Sequence, residues 1–137
     1  MNHGGAMHLR APGAQPALWF GALALCAGAL ALAGTPAPRL LVLLLLGPLL
    51  EEAIFRAGLH EALLRRWAGL PALWANLVTA IAFGLAHMLV RGELAAGAVV
   101  LPALAIGLVY QRGRRLRHCI ALHAAMNAAW LLIGLPG

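Results

Sequence analysis

Apolar residues run along this chain in long blocks, separated by short clusters of proline, glycine and arginine. No alternating strand pattern and no internal repeat is visible, so block length carries the first inference. A membrane-crossing helix needs ~20 predominantly apolar residues. Five blocks meet or approach that length: residues 16–34, ended by Thr35-Pro36-Ala37-Pro38; 39–67, interrupted only by Gly47-Pro48; 71–90; 94–111, with a kink expected at Pro102; and 116–135. Prolines cannot continue a helix from its interior, which places the boundaries. The second block is too long for one crossing, since ~29 residues at ~1.5 Å each exceed a ~30 Å hydrocarbon core. Its end, with His60, Glu61, Arg65 and Arg66, is expected to protrude or lie along the interface. The pattern predicts an all-α, polytopic transmembrane helical bundle of about five spans. Residues 1–15 form a flexible tail and 16–137 a single membrane domain, the first block being a retained span rather than a cleaved signal.

Composition agrees. The chain is 63% hydrophobic and 10% charged, against roughly 45–50% and 25% in soluble domains, which excludes a small water-soluble enzyme. The formal charge of +6 comes entirely from arginine. No aromatic-interleaved basic surface accompanies it, so no nucleic-acid partner is expected and the arginines read as orienting residues. Arg10, Arg65, Arg66, Arg112, Arg114, Arg115 and Arg117 fall on one side of a five-span layout, Arg39 and Arg91 on the other. The positive-inside rule then predicts a cytoplasmic N-terminus in a bacterial inner membrane. Cys26 and Cys119 lie in apolar blocks and read as packing residues.

Inside a span a charged group costs roughly 2.5–3.5 kcal/mol on insertion scales, and every strongly polar group there calls for a partner or a role. Here these groups are Glu51, Glu52 and Arg56 in the second block, Asn76 and His87 in the third, and His123 and Asn127 in the fifth. Glu52 and Arg56, four apart, have ion-pair spacing. Glu51 points ~100° away and must find donors on another helix or carry a raised pKa, as a general base requires. An antiparallel hairpin of blocks two and three brings Glu51 and His87 to similar depth. His123 and Asn127 share one helix face. Counted from the block starts, however, His87 lies ~24 Å and His123 ~11 Å along its helix, so their meeting at one level is an open point. Asn76 and Thr79 read as packing groups, and His60 and His118 as solvated near the interface.

The runs Glu51-Glu52-Ala53-Ile54-Phe55-Arg56, Phe83-Gly84-Leu85-Ala86-His87 and His123-Ala124-Ala125-Met126-Asn127 resemble, in order, the motifs EExxxR, FxxxH and HxxxN/D of the CPBP family of CAAX prenyl endopeptidases and bacteriocin-processing or immunity proteins (Abi). The likeness covers about residues 46–130. It implies an intramembrane endopeptidase of glutamic type with no cofactor and no metal. Glu51 would activate water, His87 and His123 would hold or polarise it, and Asn127 would help stabilise the oxyanion. Glu52 and Arg56 would hold the motif helix and Phe83 the cavity wall. The chain is short for this family, reads as a minimal core, and is similar in size to members that accompany proteins with C-terminal sorting signals. The expected partner is a membrane-anchored protein or peptide. A zinc peptidase using the same side chains and a non-catalytic immunity or binding protein stay open as alternatives. Without an HExxH run, zinc ligation by Glu51 would leave only the paired Glu52 as base. A transporter is disfavoured by the absence of repeated halves.

Overall fold

The computed structural model describes residues 34–67 and 69–134; the tail and the first expected span lie outside the described residues. Helix α1 (residues 37–66) starts after extended Pro36, with Pro38 in its first turn, where a missing amide costs nothing. It is not a regular helix. An α-helical start, Ala37–Leu41, passes into a π-helical stretch, Val42–Leu46; α geometry returns over Gly47–Glu52, π geometry over Ala53–His60, and α geometry closes the helix over Glu61–Arg66. Helix α2 (Ala72–Arg91) follows extended Pro71 and stops at left-handed Gly92. A 3-10 turn (Leu94–Val99) leads into α3 (Val100–Gly113), and α4 (Leu116–Ile133) ends at left-handed Gly134.

Three segments of the described residues are long and apolar enough to cross a membrane: Ala72–Arg91, Leu94–Gly113 and Leu116–Ile133. The block expected as span two is a single helical run, but its π stretches divide it, and none of its regular pieces reaches span length. The kink expected at Pro102 is absent as such. Helix α3 starts only at Val100, so Pro102 sits in the first turn, where amides lack intrahelical acceptors. The break falls instead at the change from 3-10 to α geometry before Val100.

The bundle is polar inside and apolar outside. Its largest fully buried side chains include Arg56, His60, Glu52, Asn76 and Thr79, while Leu50, Ile54, Leu85, Leu89, Val90 and Leu101 are exposed. Such a distribution would fail in water and suits lipid, where polar groups must be satisfied between helices. Thr79 Oγ1 donates to Ala75 O (2.7 Å) and Asn76 Nδ2 to Leu104 O (3.0 Å), in line with the packing role expected of both. Asn76 fits because residue 107 is glycine: a β-carbon there would overlap the Asn76 carboxamide.

At the end of the bundle where α1 finishes, Glu61 accepts a hydrogen bond from the Tyr110 hydroxyl (2.9 Å) and pairs with Arg114, the residue at which α3 ends in a left-handed conformation. His60 does not fit its expected solvated position. It is completely buried, its ring edge-on to Tyr110 at 5.5 Å, because it lies four residues beyond Arg56 on the inner face of α1. His118 is half-buried rather than solvated.

Gly107→Ala should force Asn76 out of its site, break its bond to Leu104, and lower stability by about 1–3 kcal/mol, as overpacking does. Unfolding in mixed micelles measures this, and an unchanged midpoint would contradict the close approach.

Candidate active site

Site geometry begins with a defect in α1. In the π stretch the Gly47 amide bonds back to Val42 O, five residues away. In that register the donor for Leu43 O would be the amide of residue 48, which is proline and has none. Asn127 of α4 supplies the missing donor: its Nδ2 lies 2.9 Å from Leu43 O. The helix defect thus ties α1 to α4 about two turns before the two glutamates. π-bulges of this kind are frequent at functional sites.

Glu52 and Arg56 form the expected pair, Arg56 Nε donating to Glu52 Oε2 (3.2 Å). Arg56 also reaches α3, Nη2 donating to Ala103 O (2.7 Å). Glu52 is not confined to this pair, however. Its second oxygen, Oε1, lies 2.8 Å from His123 Nδ1. A carboxylate accepts, so Nδ1 carries the ring proton and Nε2 of the neutral ring faces away from Glu52. That Nε2 lies 3.4 Å from Glu51 Oε2, an inner carboxylate oxygen with no hydrogen-bond partner among the described residues. One imidazole therefore lies between both glutamates, hydrogen-bonded to Glu52 and in contact with Glu51, and the sequence reading, which separated Glu51 from Glu52, did not anticipate this.

His87 donates or shares a proton through Nδ1 with Phe83 O (3.1 Å), one turn back on α2. A carbonyl only accepts, so the neutral ring presents an unprotonated Nε2. The Phe83 ring lies against both imidazoles, 4.4 Å from His87 and 5.8 Å from His123 between centroids, and is braced by Phe55 at 4.9 Å. Asn76 of α2 bonds to Leu104, and Cys119 of α4 contacts Ile106 through its thiol, so α2 and α4 start at similar levels against α3. His87, eleven residues past Asn76, is consequently nearer one end of the bundle than His123, four past Cys119. No hydrogen bond joins the two rings.

What they share is a cavity of about 750 Å³. Glu51, Phe83, His87, His123 and Asn127 all line it, its walls completed by Val99, Pro102, Ala103 and Ile106 of the 3-10 turn and α3 and by Met126 and Trp130 of α4. Glu51 and His87 also line a smaller adjoining cavity of about 320 Å³ with Phe55 and Ala86. Among the described residues, no three His, Cys, Asp or Glu side chains gather at metal-ligand spacing. Sequence reasoning missed four contributions: the carbonyls of Leu43 and Ala103, and the cavity-lining positions of Arg39 and Arg91, which it read only as orienting residues. Only the Leu43 carbonyl had a signal, the proline five residues after it.

Residues 33–129 match the type II CAAX prenyl endopeptidase Rce1-like family, over more than half of the chain and across all three motif runs. The chain belongs to this family. The match agrees with the resemblance carried by the three motifs. No curated protein and no solved structure matches the chain. Family and apolar helices together make it a multi-pass membrane protein of an endopeptidase family, whose substrates are proteins or peptides.

Removing Arg56 alone strands Glu52 and the Ala103 carbonyl, so Arg56→Met should destabilise by about 3–5 kcal/mol, the usual result of breaking a buried pair. The double variant Glu52→Gln, Arg56→Met should recover part of that loss in the same mixed-micelle unfolding assay. A double variant no more stable than Arg56→Met would mean that the pair is not what holds α1.

Proposed function

We propose that this protein is an intramembrane endopeptidase of glutamic type, in which Glu51 activates a water molecule for attack on a peptide bond of a membrane-anchored protein or peptide. The observation that carries the reading is the contact of Glu51 Oε2 with His123 Nε2 at 3.4 Å, while Glu52 holds the other side of the ring. With the ring proton on Nδ1, Nε2 and the Glu51 carboxylate are both acceptors facing one cavity. A water molecule has two protons to donate, one for Nε2 and one for the outer Glu51 oxygen, since the inner oxygen is closed to solvent. Glu51 then takes one proton as the water oxygen bonds to the scissile carbonyl carbon. His87, on the same cavity wall, polarises the water or the carbonyl. The second Asn127 amide proton stabilises the oxyanion. As the C–N bond breaks, the proton held by Glu51 passes to the leaving amine.

Glu52 acts as a positioning residue, fixing the tautomer and orientation of His123. Arg56 keeps Glu52 in place through its Nε contact with Oε2. The substrate segment must unwind locally to expose its peptide bond, because a helical carbonyl is shielded. An apolar-walled cavity beside lipid suits a segment near a C-terminal transmembrane sorting signal, in a bacterial inner membrane with the N-terminus of the enzyme in the cytoplasm.

The decisive experiment is cleavage in vivo of a candidate anchored protein by the wild type and by Glu51→Gln, His87→Ala and His123→Ala, all confirmed as folded. Loss of a general base or its partner should reduce cleavage by about 10²–10⁴-fold; equal processing by all four would remove the catalytic role. A phenotype kept by Glu51→Gln would instead mark a binding or immunity protein. Activity abolished by chelators and restored by zinc would replace the glutamic mechanism with a metal one. Pro48→Ala restores an amide that competes for Leu43 O, and should lower the rate in step with Asn127→Ala, roughly tenfold for one hydrogen bond; a wild-type rate would show that the tie does not position Asn127.

A further inference from the structure

The buried polar contacts of the bundle do not reach every polar atom inside it. Arg56, His60 and Asn76 are fully buried, yet Arg56 Nη1, both ring nitrogens of His60 and Asn76 Oδ1 have no hydrogen-bond partner among the described residues. All three side chains lie against two consecutive turns of α3: Arg56 at the Ala103 carbonyl, Asn76 at Leu104 and Gly107, His60 at Tyr110. Arg56 and His60 come from one face of α1, four residues apart, and Asn76 comes from α2, so the unmet atoms belong to the stretch of interior where α1, α2 and α3 pack. None of the three residues lines either cavity. Tyr110 offers His60 only a ring edge, because its hydroxyl is spent on Glu61. Buried polar groups are rarely left unmet, and these call for a ligand.

We propose that Arg56, His60 and Asn76 enclose a bound water, and that through it His60 is a positioning residue of the peptidase; the second part rests on the peptidase reading. The unmet atoms select the ligand. Arg56 Nη1 and one nitrogen of the neutral His60 ring donate, while the other His60 nitrogen accepts. Asn76 Oδ1 accepts as well, since Nδ2 is the end that donates to Leu104 O. An anion would leave both acceptors unmet, and a cation would face the Arg56 guanidinium. Water donates and accepts, and a buried water makes about three hydrogen bonds to groups of this kind. Ala103 and Gly107, the α3 positions that Arg56 and Asn76 meet, carry no side chain large enough to compete for the place. The water completes the guanidinium, whose Nε is on Glu52 and whose Nη2 is on Ala103 O, by taking up Nη1. With its three nitrogens held, the guanidinium plane is fixed, and with it the Glu52 carboxylate that orients His123.

The test first reads the water itself, by nuclear magnetic resonance of the full chain in lipid nanodiscs with isotope-labelled histidine rings. Cross-relaxation between water and the ring should mark His60, although the side chain is closed to bulk solvent, and the signal is assigned by its loss in His60→Phe. A His60 ring with no water contact, or one met instead by a side chain or the C-terminus from residues 1–33 or 135–137, would overturn the site. Cleavage of the candidate anchored protein gives the second reading. His60→Phe keeps an aromatic ring beside Tyr110 and should lower kcat roughly tenfold, the rate equivalent of one hydrogen bond, with KM unchanged. His60→Gln keeps a donor and an acceptor and should recover most of that loss, which a space-filling role would not allow. A wild-type kcat in His60→Phe, or no recovery in His60→Gln, would overturn the positioning role. A water-bonded His60 in a wild-type protein that cleaves nothing would overturn the peptidase and leave the water site.

Discussion

Arg56 occupies a position that lipid and protein interior alike should refuse, a guanidinium with no exposure inside an apolar bundle. It is tolerated because two of its three nitrogens have partners, Nε on Glu52 one turn back and Nη2 on the Ala103 carbonyl of α3, while Nη1 stays unpartnered among the described residues. Glu52 is then held with one oxygen on Arg56 and the other on His123. This single run of polar contacts joins α1 to α3 and to α4. Removing any member leaves a buried charge or carbonyl unpaired, which costs more than the pair itself contributes. In a bilayer, where apolar contact does not favour one helix face over another, such contacts decide how the helices register.

The irregularity of α1 serves the same end. A regular α-helix bonds its own carbonyls and offers a neighbour only their remaining lone pairs, as α3 does at Ala103 and Leu104. The π stretch at Val42–Leu46, followed by Pro48, releases Leu43 O to Asn127. The second π stretch, Ala53–His60, carries Arg56 and His60 to the buried face. A helix that binds its neighbours through its own backbone gives up regularity and gains a fixed rotation about its axis. That rotation is what allows adjacent residues, Glu51 and Glu52, to meet the same imidazole from two sides.

The cavity inherits its character from these constraints. Its chemistry lies where α1, α2 and α4 carry polar groups, and its apolar wall comes from α3 and the 3-10 turn before it. Phe83 separates His87 from His123 and touches both. The two imidazoles therefore address one space from different levels.

Much of this was legible in the residue order. Block length and composition determined a membrane helical bundle, since bilayer thickness sets helix length and admits few charges. Proline and glycine marked the ends of α2 and the start of α1 through their backbone geometry. The costly residues Glu51, Glu52, Arg56, His87, His123 and Asn127 could be singled out because each is expensive in lipid, and their motif spacing resembled a family that the chain belongs to. Tertiary structure decided the rest. Helical counting assumes ~3.6 residues per turn, so it could not foresee π stretches, nor that Glu52 shares its carboxylate between Arg56 and His123. It placed His60 in solvent because it read depth without rotation. It set Arg39 and Arg91 on one side of the membrane but could not foresee that both line the cavity of Glu51 and the imidazoles. Which polar groups share a partner depends on helix rotation and register, and these are set by contacts between helices rather than by any stretch of sequence alone.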